Sequence, residues 1–116
     1  MTLIANDVFK QLLSFRKERD WEQFHTPKNL SAALSVEAAE LLEIFQWARE
    51  IDLAETVARE RKAIEDEVAD IAILLSYFCH DLEIDLDAAV RSKLEKNRQK
   101  YPVHLARGNS KKYDRL

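Results

Sequence analysis

The sequence predicts an all-α fold, and three observations carry the prediction. One Gly and two Pro occur in 116 residues, too few turn formers for a hairpin-rich β architecture. Apolar residues recur at intervals of three and four, the period of a helix and not of a strand. The composition, 47% hydrophobic and 34% charged, is that of a folded chain, and the length fits one domain over residues 1–116. The lone Gly108 also excludes the P-loop and the dinucleotide fingerprint, each of which needs several glycines.

The first helix is expected from about Leu3 to Asp20, on the stripe Ile4, Val8, Leu12 and Phe15. Trp21 to Pro27 (WEQFHTP) breaks that period and reads as an unusually aromatic loop. Thr26 then serves as cap and Pro27 as first residue of a second helix extending to about Glu50, followed by a polar interval from Asp52 to Thr56. The third helix runs from near Val57 to His80, and Asp85 or Asp87 caps a fourth that must end before Pro102. Val103 to Leu116 reads as a tail, extended or mobile.

The start, MTLIANDVFK, lacks a secretory pattern, and the most apolar stretch, Ile71 to Cys79, is far short of the ~20 residues that span a bilayer, so a cytoplasmic location and no membrane partner are expected. Cys79 is alone and is expected to pack as a small apolar residue. Residues 1–90 hold 9 Lys/Arg against 19 Asp/Glu, and residues 91–116 hold 9 against 2: an acidic body with a basic tail.

Carboxylates stand where a core should be. At about 100° per residue, Leu30, Ala33, Leu34, Leu41, Ile44 and Ala48 all lie within roughly 60° of Glu37, with Glu40 at the edge of that stripe and Glu43 outside it. Glu67 is centred in the same way among Ile64, Ile71, Leu74 and Phe78, with Asp70 at the edge. A shift of thirty residues superposes the two patterns, Glu37 on Glu67 and Glu40 on Asp70. Inward carboxylates repel one another and lose hydration, so they need a cation. Hard oxygen donors without Cys or a partnered His suit Mg²⁺, Mn²⁺ or Ca²⁺, with Mg²⁺ favoured, and disfavour structural zinc. The alternative is a set of salt bridges, for which Arg49, Arg59 and Arg61 are the nearest cations. Four carboxylates and one Mg²⁺ stay net negative, so an anionic substrate would bring more metal, as a nucleoside triphosphate does. Lys93, Lys96, Arg98 and Lys100 could help hold its phosphates, or could be salt-bridged to the acidic body.

The ExxE and ExxD pairs, with ERDWEQFHTPKNL (Glu18 to Leu30), ELLEIFQW (Glu40 to Trp47) and KNRQKYPVHLAR (Lys96 to Arg107), resemble the MazG-like all-α nucleoside triphosphate pyrophosphohydrolases over nearly the whole chain. Within that superfamily the chain is similar to the branch that acts on dCTP. The resemblance implies a four-helix MazG-like bundle completed by oligomerisation, as a homodimer or homotetramer. It also implies hydrolysis between the α and β phosphates, giving a monophosphate and pyrophosphate, as in cleansing of the nucleotide pool. Glu37, Glu40, Glu67 and Asp70 are then the catalytic and Mg²⁺-binding residues. The base pocket falls on Trp21, Glu22, Gln23, Phe24 and His25 together with Trp47, which continued helical geometry would place on the flank of Glu40. The C-terminal motif adds Asn97 and Tyr101 to the basic residues as substrate-binding groups. Leu12 and Leu74 depart from the dCTP branch, which has His and Tyr there in its nucleotide pocket; this leaves the preferred base open. The alternatives are a superfamily member acting on another base or on phosphoribosyl-ATP, or a helical nucleic-acid-binding module using the basic tail. The last gives four inward carboxylates no purpose.

Overall fold

The computed structural model describes residues 3–116, and among them every regular element is a helix or a single 3₁₀ turn. Helix α1 (Asn6–Glu18) carries Asp7 in its first turn and Arg16 and Lys17 in its last, charges that complement the helix dipole. It ends in a Schellman motif: the Trp21 amide donates to Arg16 O at 3.0 Å and the Asp20 amide to Lys17 O at 3.0 Å, with Asp20 at φ 55°. In a chain almost without glycine, a short polar side chain takes the left-handed position. The inner face of α1 differs from the expected stripe. Val8 and Phe15 are exposed, whereas Phe9 and Leu12 are half-buried and Arg16 is 5% exposed.

After a 3₁₀ turn at Glu22–Phe24, Thr26 accepts the Asn29 amide at 3.1 Å and Pro27 opens α2 (Pro27–Phe45), as expected. Asn29 Nδ2 donates to Phe24 O at 2.9 Å and ties the aromatic loop to the helix start.

Helix α2 stops at Phe45, short of the expected Glu50, because Arg49 turns extended at ψ 155° and caps a 3₁₀ turn at Glu50–Asp52. The Arg49 Nε–Asp52 Oδ2 pair at 2.8 Å closes that turn. The expected polar interval is instead α3 (Leu53–Arg59), where Thr56 is buried and returns its hydroxyl to Asp52 O at 2.9 Å. Glu60 alone separates α3 from α4 (Arg61–Asp81), so the third expected helix starts four residues later than its nominal Val57. No Gly or Pro marks either break.

Helices α2 and α4 form the most extensive packing in the unit that runs to Glu83. They are antiparallel: His25, before α2, stacks near Tyr77 late in α4, whereas Trp47, after α2, shares a recess with Thr56 and Arg59, before α4. Leu30, Tyr77 and Cys79 are the buried apolar residues, and among the described residues no side chain is completely sealed. Cys79 packs as expected, its thiol pushed up by burial. Val36, Leu42 and Val68 on α2 and α4 lie open.

The second compact unit is Ile84–Leu116. Asp85 accepts the Ala88 amide at 3.0 Å and caps α5 (Leu86–Lys100), which ends before Pro102 as expected. The tail is ordered locally rather than extended. It forms α6 (Val103–Ala106) and a 3₁₀ turn at Tyr113–Arg115, with Tyr113 edge-on to Tyr101 at 6.2 Å and under Lys100 at 4.8 Å. No helix among the described residues is long and apolar enough to cross a membrane.

Candidate functional site

The thirty-residue repeat becomes a face-to-face arrangement once α2 and α4 pair. Carboxylate oxygens of Glu37, Glu67 and Asp70 all lie within 4.8 Å of one another, comparable to twice a cation–oxygen bond of about 2.0–2.6 Å. Glu40, outside that group of three, lies near enough to Glu37 and Glu67 to interact with both carboxyls. The Glu37 carboxyl is held above its ordinary range, first by its hydrogen bond with Glu67, against an opposing contribution from Glu40, and then by burial and the charges of Asp70 and Glu67. Glu40 is raised too, chiefly by its hydrogen bond with Glu37. Without a cation, Glu37 and Glu40 hold protons more tightly than free carboxylates do.

Two atoms are decisive. Oε2 of Glu37 and Oε2 of Glu67 are sealed from solvent with no hydrogen-bond partner in the protein, a state that costs about 1–3 kcal/mol each. The salt-bridge alternative fails because its cations are engaged elsewhere. Arg49 pairs with Asp52, Arg59 with Glu60 at 3.4 Å and Arg61 with Glu65 at 3.1 Å. No ion pair among the described residues reaches Glu37, Glu40, Glu67 or Asp70. All-oxygen donors, half-buried at Glu37, Glu40 and Glu67 and open at Asp70, fit a divalent cation that keeps part of its water shell.

The MazG-like family model matches residues 32–116, a stretch that contains all four acids. The chain belongs to the MazG-like family. This MazG-like chain is 43% identical to dCTP pyrophosphatase 1 of Homo sapiens and of Rattus norvegicus over 112 residues, 95% of its own length. It spans 66% of the length of those relatives. A crystal structure of a pyrophosphatase from Archaeoglobus fulgidus DSM 4304 aligns with a TM-score of 0.79 at 44% identity, covering 83% of this chain and 90% of that one.

The aromatic residues of the MazG-like chain divide between two places. Trp21 packs edge-on against Phe15 at 5.6 Å and lies 6.5 Å from the ring of His25, which in turn meets Tyr77 at 5.2 Å. Beside them Phe24 and Glu22 are exposed, and Gln23 folds back on Asp20, donating to its carboxylate at 2.8 Å. Trp47 stands past the end of α2, not on it, and is 86% exposed. It lines a separate recess of about 330 Å³ with Glu43, Ile44, Ala48, Asp52, Glu55, Thr56 and Arg59. At 1.5 Å per residue, the 19 residues of α2 separate its ends by roughly 28 Å. One chain therefore does not bring Trp47 to Trp21 and His25; the acids lie between them.

Lys93, Lys96, Asn97, Arg98 and Lys100 are on α5 and Tyr101 caps it, all in the Ile84–Leu116 unit. Within that unit Arg98 pairs with Glu95 at 3.1 Å and Lys100 covers Tyr113, so two of the four cations have local partners.

The sequence reading missed a polar cluster at the His25 end. Arg16 Nη1 donates to Asp81 Oδ2 at 2.9 Å, Nη2 donates to Asp81 Oδ1, and the guanidinium lies 4.5 Å from the Tyr77 ring centre. Arg16 holds Asp81 below the usual carboxylate range. The signal was present: Arg16 follows Leu12 by four residues, a charge on an apolar stripe like Glu37 and Glu67.

Proposed function

We propose that the chain is a divalent-cation-dependent nucleoside triphosphate pyrophosphohydrolase. The observation that carries this reading is the pair of sealed, unpartnered oxygens of Glu37 and Glu67, which cluster with Asp70 and have Glu40 beside them. Water attacks the α phosphorus, the bond from that phosphorus to the bridging oxygen breaks, and the electron pair leaves with pyrophosphate. Glu37, Glu40, Glu67 and Asp70 would hold Mg²⁺, with Mn²⁺ able to replace it; when bound, the metal neutralises the triphosphate and lowers the pKa of a coordinated water. The carboxylates fix where that charge sits, and the packed α2–α4 pair fixes the carboxylates.

The substrate in this reading is a deoxynucleoside triphosphate, dCTP being the choice that the named relatives support. Trp21, Glu22, Gln23, Phe24 and His25 form one wall of the base site and Trp47 another, while Lys93, Lys96, Asn97, Arg98, Lys100 and Tyr101 serve the phosphates. Because the two walls are about 28 Å apart along α2, a complete base site takes them from different protomers of a homodimer or homotetramer. The open apolar residues Val36, Leu42 and Val68 support that assembly. Acting on the free nucleotide pool, the enzyme would work in the cytoplasm.

Hydrolysis of dCTP in ¹⁸O-enriched water with Mg²⁺ tests the reading. Label should enter the monophosphate, with pyrophosphate released and no turnover in EDTA. Label confined to pyrophosphate, or release of orthophosphate, would overturn it.

A further inference from the structure

We propose that Arg16 and Asp81 are positioning residues that fix the His25 ring with its single proton on Nε2, so that His25 offers a hydrogen-bond donor to an acceptor on a pyrimidine base. This deepens the proposed function and rests on its placing of Trp21 and His25 in the base site.

Arg16 presents a guanidinium to the ring. It has five N–H donors and no acceptor, and it does not lose its proton at any working pH. A ring nitrogen hydrogen-bonded to it must therefore present a lone pair. Arg16 Nη1 lies 3.3 Å from His25 Nδ1, so Nδ1 is the acceptor and the proton belongs to Nε2.

The guanidinium itself cannot turn away. Asp81 engages both Nη atoms, the Tyr77 ring covers its face at 4.5 Å, and Arg16 is 5% exposed. Tyr77 is anchored in turn, its hydroxyl donating to Leu12 O at 2.6 Å. The imidazole lies 5.2 Å from the Tyr77 ring and 6.5 Å from that of Trp21.

Electrostatics points the same way. Burial, then the charge of Arg16, lowers the His25 pKa, while Asp81 and Glu22 oppose. The groups around the ring are thus Arg16 from α1, Glu22 from the 3₁₀ turn, and Tyr77 and Asp81 from α4. With Nδ1 accepting from Arg16, a second proton at that nitrogen is disfavoured. His25 Nε2 has no hydrogen-bond partner among the described residues and is not among the sealed polar atoms.

A lone Nε2–H pairs with O2 of a pyrimidine, or with N3 of cytosine. It leaves a base group that donates at that point unpaired, which is how a site built for one hydrogen-bond pattern rejects another. No part of this requires Arg16 or Asp81 to touch the nucleotide.

The test is long-range ¹H–¹⁵N correlation on the full chain with ¹⁵N-labelled histidine. The three histidines are sorted by the signal that His25→Gln removes. At neutral pH, His25 should show a pyridine-type Nδ1 and a pyrrole-type Nε2, and addition of dCMP should shift the Nε2 signal. In Arg16→Met the ring should exchange between tautomers, and KM for dCTP should rise about 5–10-fold, the worth of one hydrogen bond, with kcat within about twofold. A proton on Nδ1 or a charged ring in the wild-type protein overturns the proposal even if Arg16→Met does not fold. So does an Nε2 signal indifferent to dCMP. The stated tautomer in a protein that turns over no nucleoside triphosphate supports the positioning role and counts against the proposed reaction alone. Turnover with the wrong tautomer does the reverse.

Discussion

Glu67→Gln should leave the metal-free protein more stable than the wild type while nearly abolishing turnover. Oε2 of Glu67 and Oε2 of Glu37 are both sealed without partners, and the carboxylates of Glu37, Glu67 and Asp70 crowd within 4.8 Å. An amide at position 67 keeps the shape, removes one of the facing charges and supplies an N–H₂ donor to the orphaned Glu37 oxygen. Each unsatisfied buried acceptor costs about 1–3 kcal/mol. Since Asp70 is exposed and the cluster partly solvated, the lower half of that range is appropriate, about 1–2 kcal/mol in all. For a chain of this size that is a rise in Tm of about 4–8 °C. Mg²⁺ reverses the order. At a hundred times its Kd, a ligand stabilises the protein that binds it by about 2.7 kcal/mol, a gain the variant largely forgoes. Thermal melts of both proteins in EDTA and in Mg²⁺, at one protein concentration, give the four values required. If the variant melts well below the wild type in EDTA, the Glu67 carboxylate is stabilising as an ion, and crowding does not destabilise the metal-free cluster.

Base stacking on an aromatic ring is worth about 1–3 kcal/mol, so Trp21→Ala and Trp47→Ala should each raise KM for dCTP at least fivefold. A mixture re-assembled from the two variants should recover part of the wild-type affinity if the walls come from different protomers, and none if they do not. Between pH 7 and 5 the lowered pKa of His25 makes the unfolded chain take up its proton first, so this residue's contribution to stability falls as pH falls through about 6.5. Chemical denaturation of wild type and His25→Gln should show the wild type losing more over that window. The depressed Asp81 carboxyl contributes fully above about pH 4 and is lost only below it, so Asp81→Asn should flatten the acid limb beneath that point. Glu83 sits just past the end of α4 at φ 52°, a conformation unfavourable for L residues, so Glu83→Gly should stabilise by about 1 kcal/mol in urea titration.

The helices and the acid cluster were legible for one reason: both are statements about period. Glu37 and Glu67 occupy positions that a helix turns inward, and no tertiary information is needed to see that. The Thr26–Pro27 and Asp85 starts were legible because capping is local chemistry. The break at Phe45 and the separate α3 were not. They rest on the Arg49–Asp52 pair and the buried Thr56, which carry no Gly or Pro signal, and Thr56 reads as polar although its hydroxyl is satisfied by Asp52 O. The error at Trp47 followed directly, since its angular position assumed a helix that had already ended. Arg16 was overlooked because Phe15, one residue earlier, is the more apolar candidate for the stripe, yet the structure turns Phe15 outward and Arg16 in.

The thin interior has a further consequence during biogenesis. A newly made chain whose buried apolar residues are Leu30, Tyr77 and Cys79 emerges with Val36, Leu42 and Val68 uncovered, and such surfaces drive chains together indiscriminately. Each of these residues has an acidic neighbour in sequence, Glu37, Glu43 and Glu67 respectively. Like charges on colliding chains slow random adhesion, much as gatekeeper residues flank sticky strands. Two of the three, Glu37 and Glu67, would draw a cation into the folded chain and thus also help keep the unfolded one in solution.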